Sequence, residues 1–543
     1  MKRLFYFALP FLAACGGLSP EKASEIITSQ SIGSDIAVLA SDSLQGRGPC
    51  TPSEVKTLSF LQRRMKELGL EPAFDGSYLQ RVPLVKITTM PVGNMEIGTR
   101  SGVVNLVNSD DFTVWSPLLK KDIELSKVPM VFVGFGVKAP EFGWDDYSSV
   151  DVKGKVVVVL VNDPGFYIKD TSLFKGNEMT YYGRWRYKFE EAERQGALAC
   201  IIVHEEDGAG YPWSVVQRRS SGSDYFIDEP GMDKLLCKVQ GWITADVARK
   251  LFTLSGLSYD GLKVDACKRG FKAVPMSLNL TQKLENSWEK CESYNVAGFI
   301  RGSEKPNEVL VYAGHWDHLG IGTAVAGDSI YNGASDNAAA VAGMFSVANA
   351  FNQMKQAPKR SVLFFVPTCE ESGMLGSSYY VSHPAFPMDS TVACINSDVI
   401  LFLGKFKDVT VTGLGHSQLD DLLREEAAKQ DRYVCADPNP ENGMFFRSDQ
   451  LPFLKAGVPS LFAKGYTHQA ELGKEKTLEK IADYWKNTYH KPSDQFDPSR
   501  DNLDGWVEDS KLFFMLGYRI ANGDSLPRWN ENSEFFRDRC FMP

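Results

Sequence analysis

Two of the chain's seven histidines, His315 and His318, stand in GHWDHLG directly after the apolar run EVLVYA. Other apolar runs end in similar groups: SVLFFVPT leads into Cys369-Glu370-Glu371, and STVACI into Asn396-Ser397-Asp398. Ser335-Asp336-Asn337 opens an apolar helical stretch, and Tyr489-His490-Lys491-Pro492-Ser493-Asp494 lies near the C-terminus. Imidazoles and carboxylates together are the donor set of zinc in a mixed nitrogen and oxygen site. A single histidine or acid at a strand end is ordinarily a satisfied loop residue. Five such groups on successive elements point instead to one shared metal centre.

The elements that carry them alternate. EVLVYAGH, SVLFFVPT, STVACINSDVI and VPSLFAK read as strands, while SDNAAAVAGMFSVANAF and QLDDLLREEAAKQ read as helices. Strands alternating with helices from Asn295 onward predict an α/β fold, a mostly parallel mixed sheet flanked by helices. In such sheets sites form beyond the carboxyl ends of the strands, where this chain places its acids and histidines. Nearer the N-terminus, Thr51-Pro52-Ser53-Glu54 predicts a helix start, with Thr51 as cap and Glu54 completing a capping box. Val55, Leu58, Leu61, Met65 and Leu68 follow on one face, and Gly69 ends the helix. From about Lys127 to Asn286 the texture changes to strands (VPMVFVGFGV, KVVVVLVND, ALACIIVHEE), one helix (GRWRYKFEEAERQG) and aromatic loops. This reads as an inserted β-rich module.

Bulk properties bound the function. A chain of 543 residues is long for one core and suggests two folded units. With 43% hydrophobic and 23% charged residues it has the composition of a globular protein. A net charge of −9 without basic runs argues against nucleic-acid or anionic-membrane partners. Met1-Lys2-Arg3 followed by LFYFALPFLAA has the form of a signal peptide, and Leu12-Ala13-Ala14-Cys15 looks like a bacterial lipobox with Cys15 as the lipidated residue. No later segment is long and apolar enough to span a bilayer, so membrane contact is expected through the lipid alone. Export implies an oxidising compartment. Of the cysteines beyond Cys15, Cys237, Cys267 and Cys291 lie in loop-rich sequence that suits bridges. Cys200, Cys369 and Cys394 sit in strand-like runs that suit buried thiols. His204-Glu205-Glu206-Asp207 lacks the second histidine of a zinc helix and reads as a solvated strand end. GIGTAVAG lacks the lysine of a phosphate loop, and no GxSxG elbow occurs. His318, His383, His416 and His468 read as structural, with His318 set apart by its closeness to the cluster.

The motifs GHWDHLG, YNGASDNAAAVAG, CEESGMLGSSYY, NSDV and YHKPSD, with LQGRGPCTPSE and GVPSLF, resemble the co-catalytic dizinc exopeptidases. That family includes bacterial secreted aminopeptidases and glutamate carboxypeptidase. GFGVKAPEFGWDDY, VDVKGKVVVVLVNDPGF and YYGRWRYKFEEAERQGALACIIVHE are similar to the protease-associated (PA) domain often inserted in it. Together these cover nearly the whole mature chain, although Cys369 and Pro49-Cys50-Thr51 depart from the family's usual small or glycine-rich residues.

The resemblance implies two Zn2+ ions bridged by Asp336. His315 and Glu371 would complete one site, and Asp398 and His490 the other. Glu370 would be the general base acting on a hydroxide shared by the ions, and Asp317 the partner that orients His315. Asp494 could orient His490 in the same way, and Tyr489 could donate to the tetrahedral intermediate. The implied organisation is a lipoprotein signal peptide at 1–14, an N-terminal part of the peptidase domain at 20–115, and a PA-like insert at 116–286. The zinc peptidase domain follows at 287–525 and a C-terminal tail at 526–543. The implied function is an exported, lipid-anchored aminopeptidase of the bacterial cell envelope acting on peptides. A carboxypeptidase or other amidohydrolase could use the same metals, with Arg447 a residue that could face a substrate carboxylate. A non-catalytic surface binding protein is a third reading, but such relatives lose metal ligands that this chain retains.

Overall fold

The computed structural model describes residues 17–217 and 222–536. The signal-like segment 1–14, Cys15 and Cys540 lie outside them. Helices α1 (Ser29–Leu39) and α2 (Glu54–Glu67) precede a long strand, β1 (Leu79–Thr99). The region expected to be an insert contributes β2 (Phe112–Trp115), β3 (Asp122–Phe132), β4 (Val156–Leu160), α3 (Trp185–Arg194), β5 (Ala199–His204), β6 (Ser223–Ile227), β7 (Val239–Thr244) and α4 (Ala245–Leu254). A second long strand, β8 (Val274–Ile300), leads out of it. The remaining chain alternates: β9 (Lys305–Ala313), α5 (Ala339–Asn352), β10 (Arg360–Val366), α6 (Leu375–Ser382), β11 (Thr391–Asn396) and β12 (Asp408–Val411). Then come α7 (Leu419–Ala428), β13 (Tyr433–Ala436), α8 (Gln450–Lys455), β14 (Ser460–Lys464), α9 (Gly473–Asn487) and α10 (Asp504–Asn522).

The fold is α/β, and the order along its sheet is β13-β12-β14-β11-β9-β10-β8-β3-β4-β5-β7-β2. Strands β10, β9, β11 and β14 run parallel, as do β3, β4, β5 and β7. Parallel strands need both faces covered, and β9 and β10 accordingly read as buried along most of their length. Helices α1, α5 and α10 pack their apolar residues on one face, while Tyr380 and Phe453, from α6 and α8, cover the other. The β1/β8 ribbon joins the two halves of the sheet. β8 pairs with β10 through residues 296–300 and with β3 through residues 274–285. The passage between the two halves of the sheet therefore runs within strands, where sequence reading finds no linker.

Several local expectations need correction. Helix α2 begins at Glu54 with Ser53 as its cap residue and no side-chain cap bond. Glu54 reaches back to Cys50 N at 2.6 Å, because Ser293 Oγ, 2.7 Å away, holds the carboxylate inward. Leu58, Leu61, Met65 and Leu68 are buried as expected, but Val55 is 67% exposed. The disulfide joins Cys50 to Cys291, 241 residues apart, and leaves Cys237 and Cys267 as thiols. Folding sets the loop before α2 against the middle of β8, a proximity that no spacing in the sequence announces.

Candidate metal centre

Register explains why the polar groups meet. Ala313 of β9 lies level with Phe365 of β10 and with Asn396 of β11. The residues that follow these three neighbours therefore emerge side by side. His315 follows β9, Glu370 and Glu371 follow β10, and Asp398 follows β11. Asp336 occupies the irregular turn that enters α5, and His490 follows α9. All five expected ligands converge at one end of the sheet.

Their pairing differs from expectation. His315 Nε2 is 3.3 Å from Asp398 Oδ1 and 3.4 Å from Asp336 Oδ1. His490 Nε2 is 3.0 Å from Glu371 Oε2 and 3.2 Å from Asp336 Oδ2. Asp336 thus turns one oxygen toward each half, but the halves are His315 with Asp398 and Glu371 with His490. The physical reason is lateral order: β9 lies between β10 and β11, and His315 leans toward the β11 side. Glu370 Oε2 stands 4.0 Å from His315 Nε2, beside the cluster.

His318, read as structural, belongs to the same constellation. Its Nδ1 approaches Glu371 Oε1 at 2.6 Å, and the residue is buried. Gly333 makes room for it: the backbone is left-handed there (φ 56°), and a Cβ would sit 2.6 Å from the His318 ring. Its placement directly after Asp317 on the same strand end was the available sequence signal.

The supporting residues also take roles that differ from expectation. His315 Nδ1 meets the main-chain carbonyl of Asp317 at 3.0 Å, while the Asp317 carboxylate lies 3.7 Å away. That carboxylate instead accepts the backbone N–H groups of Glu370 (3.0 Å) and Glu371 (3.3 Å), fixing the turn that aims both side chains. Asp494 does not reach His490; it accepts from Ser335 N and Asp336 N at 3.0 and 3.1 Å and so anchors the turn holding Asp336. Tyr489 stacks on the His490 ring at 3.8 Å between centroids and faces the acids of the cluster.

Three further residues were missed. Arg47, from the LQGRG motif, is fully buried and donates to the carbonyls of Trp316 (2.7 Å), Leu39 (2.7 Å), Asn332 (2.5 Å) and Gly333 (2.9 Å). It thereby clamps the two loops that carry His315 and Asp336. Lys464 ends the apolar strand β14 and donates to the carbonyls of Asp398 (2.8 Å) and Val399 (2.7 Å). A lysine closing an otherwise apolar run was the signal for it. Asp449 accepts from Ser377 Oγ at 2.6 Å and faces His315 and Asp398.

Electrostatics follow from burying so many acids together. Burial opposes the His490 imidazolium, yet Glu371 and Asp336 hold it up to about 10. Burial likewise opposes the Glu371 charge, but His490 and His318 hold it down to about 2. Glu370 has less compensation, and burial pushes its carboxyl well above the usual range. Asp317 rises to about 7 for the same reason.

The residues fit a pair of cations. His318 Nδ1 and Nε2, Glu371 Oε1 and His490 Nε2 are buried and make no aligned hydrogen bond. Such atoms are costly unless something between them accepts their lone pairs. The donor atoms of His315, Asp336 and Asp398 lie within 4.8 Å of one another, as do those of His318, Asp336 and Glu371.

Of the expected decoys, His204 needs correction. It is buried among Tyr211, Trp213 and Trp242, so it is a core histidine and not a solvated strand end. His383 stacks on Tyr379, and His468 accepts or donates at Tyr433 Oη, 2.9 Å away.

Comparison with known proteins agrees with this geometry. The family model of peptidase family M28 matches residues 295–510. A probable leucine aminopeptidase 2 from Aspergillus oryzae is 25% identical over 275 residues, 48% of this chain and 51% of its own length. A vacuolar membrane protease from Clavispora lusitaniae is 23% identical over 183 residues, 34% of this chain and 16% of its own. The chain thus spans about half the length of the first relative and less of the second. Among solved structures, an aminopeptidase from Aneurinibacillus sp. strain AM-1 superposes with a TM-score of 0.51 at 15% identity, covering 94% of this chain and 97% of that one. That likeness concerns the fold. The segment that holds all the converging acids and histidines is the one that the peptidase family M28 model matches.

Proposed function

We propose that the chain is a dizinc aminopeptidase, exported and held at a bacterial envelope by lipid on Cys15. The observation that carries the catalytic part is the division of four ligands into two pairs about Asp336, with buried lone pairs turned inward. His315 and Asp398 would hold one ion and Glu371 and His490 the other. Bound zinc supplies Lewis acidity toward the scissile carbonyl and a lowered pKa for water at the site.

The chain's own residues do the rest. Glu370 takes a proton from the attacking water and returns it to the leaving amine nitrogen. The Asp317 carboxylate holds the Glu370-Glu371 turn in place, and the Asp317 carbonyl fixes which His315 nitrogen faces inward. The Tyr489 hydroxyl donates to the carbonyl oxygen as negative charge develops there. The inserted region, which resembles a PA domain, packs Met179 to Arg184 against the loop at 440–447 and would border the cleft, limiting entry to peptide ends.

A panel of aminoacyl anilides and N-blocked peptides, each with and without chelator, tests the reading. Expected are about two zinc ions per chain and cleavage of free-amine substrates that chelation abolishes. Cleavage of blocked substrates alone, or activity indifferent to chelation, overturns it. Palmitate labelling lost in Cys15→Ser tests the anchor. A carboxypeptidase is the second reading, favoured by Arg184 and Arg447, which form no ion pair among the described residues.

A further inference from the structure

Gly17 and Leu18 dock at the end of the molecule opposite the metal centre. Strand β9 runs up to His315, α5 runs back from the turn that holds Asp336, and β10 returns to Glu370. The last residue of α5, Asn352, therefore lies at the same end as Lys305 and Arg360, the paired first residues of β9 and β10. Here Leu18 N donates to Gln353 O and Lys355 N donates to Leu18 O, both at 2.9 Å. Gly17 lies so close to this loop that a Cβ on it would sit 2.5 Å from Lys355 Cα. Ser303 N donates to Pro358 O (2.8 Å), Lys305 N to Lys359 O (2.7 Å) and Lys359 N to Asn522 Oδ1 (3.1 Å). These bonds join residues 302–305, residues 353–359 and the end of α10 into one face.

The face is polar. Gln353, Lys355, Gln356, Ser303 and Lys305 are exposed on it. Lys359 lies 3.7 Å from Glu304 and 3.6 Å from Asp524, whereas Lys355 is in no ion pair among the described residues. Such a surface suits the phosphates of lipid headgroups and not an acyl interior. Cys15 precedes Gly17 by two residues, so its Cα stays within about 8 Å of Gly17 Cα. Lipid entering a bilayer from that position holds this face against the headgroups. Helix α5 is 14 residues long, about 21 Å of rise, and the metal centre lies beyond its far end.

We propose that the face formed by residues 302–305 and 353–359 rests on the lipid headgroups of the membrane that takes the Cys15 lipid, with the metal centre turned away from that membrane. The anchored protein then acts on peptides free in solution and not on chain ends lying at the bilayer surface. The proposal rests on lipid at Cys15 and goes beyond it by fixing which face meets the bilayer.

The test starts from the full lipidated chain in vesicles of phosphatidylethanolamine and phosphatidylglycerol, with Cys15→Ser protein beside the same vesicles as reference. Mass spectrometry of the N-terminal peptide reads the anchor; a peptide without lipid overturns the anchor reading and the orientation with it. With lipid present, lysines are labelled with a water-soluble succinimidyl ester. Labelling of Lys355 and Lys305 is expected to slow about threefold or more against the reference. Lys486, exposed at the end of α9 near His490, should label at an unchanged rate. A flexible insert of about 20 residues between Gly16 and Gly17 should return Lys355 to the reference rate with the lipid still in place. Slowing at Lys486, or at neither end, overturns the orientation and leaves the anchor standing. A second readout uses free-amine peptides coupled through their C-termini to phosphatidylethanolamine in the same vesicles. A spacer shorter than roughly 20 Å should give cleavage about tenfold slower than one of twice that reach. Equal cleavage of the two overturns the orientation. Should no peptide be cleaved, the peptidase reading fails and the lysine labelling alone decides.

Discussion

Two of the clusters of buried charge in this molecule, one in each half of its sheet, are built on opposite plans. In the half built on β3, β4, β5 and β7, Lys188 Nζ donates to Asn162 O at 2.8 Å beside Asp163 and Asp146. Asp163 accepts from Gly165 N (3.0 Å), Thr180 N (2.9 Å) and Thr180 Oγ1 (2.7 Å). Asp146 accepts from Val137 N (3.0 Å) and Trp144 Nε1 (2.8 Å). Every member has local partners, and the cluster is complete by itself. At the metal centre His315, Asp336 and Asp398 are buried and Glu370, Glu371 and His490 partly so, yet imidazole and carboxylate atoms face one another with hydrogen-bonding capacity unused. Burial of charge alone is therefore no mark of function. Convergence of several unsatisfied imidazole and carboxylate atoms is, because their cost is relieved when a ligand completes them.

The contrast can be broken at either cluster. The largest expected effect is at Glu370: Glu370→Gln should lower kcat by about 10⁴-fold with zinc content unchanged, since a general base contributes up to that much. Unaltered turnover would remove Glu370 from its role. Next, Lys188→Met should lower stability by about 3–5 kcal/mol, the cost of breaking a buried pair. Denaturant unfolding would measure this, and zinc per folded chain should stay constant. A loss of zinc instead would mean that the two clusters are not independent.

A third buried group sharpens the comparison through pH. Burial depresses His416 from 6.5 to about 4, and Glu534 only partly offsets this. The unfolded chain then binds a proton that the folded chain refuses, so stability is present above pH 6.5 and falls as pH drops toward 4. The expected loss is up to about 3 kcal/mol, read as a shift in urea midpoint between pH 7 and pH 4. His416→Gln should flatten the decline, and an unchanged decline would assign it to other groups. The smallest effect is expected at Asp317, where Asp317→Asn should weaken zinc binding and activity about 10-fold. A loss as large as that of Glu370→Gln would show that the carboxylate does more than hold a turn.

Much of the centre was legible before folding was considered. His315, Glu371 and Asp398 stand out because each follows an apolar run, Asp336 because it opens a helix, and His490 through the YHKPSD motif. What escaped were residues whose work is done across the chain. Arg47 acts on carbonyls 269 and 286 residues away, so its own neighbours reveal only an arginine between glycines. The β1/β8 ribbon was also unreadable, because antiparallel pairing of distant strands leaves no local period beyond ordinary strand alternation.

By itself, the sequence determined which chemistry could occur: period and composition set the strands and helices, and residue type set the donor atoms. Only the tertiary structure decided which donors share a half of the centre, that Asp317 and Asp494 brace turns instead of imidazoles, and that Cys50 meets Cys291. Strand order and side-chain lean control those outcomes. They depend on how β9 sits between β10 and β11, a lateral arrangement that linear spacing does not encode.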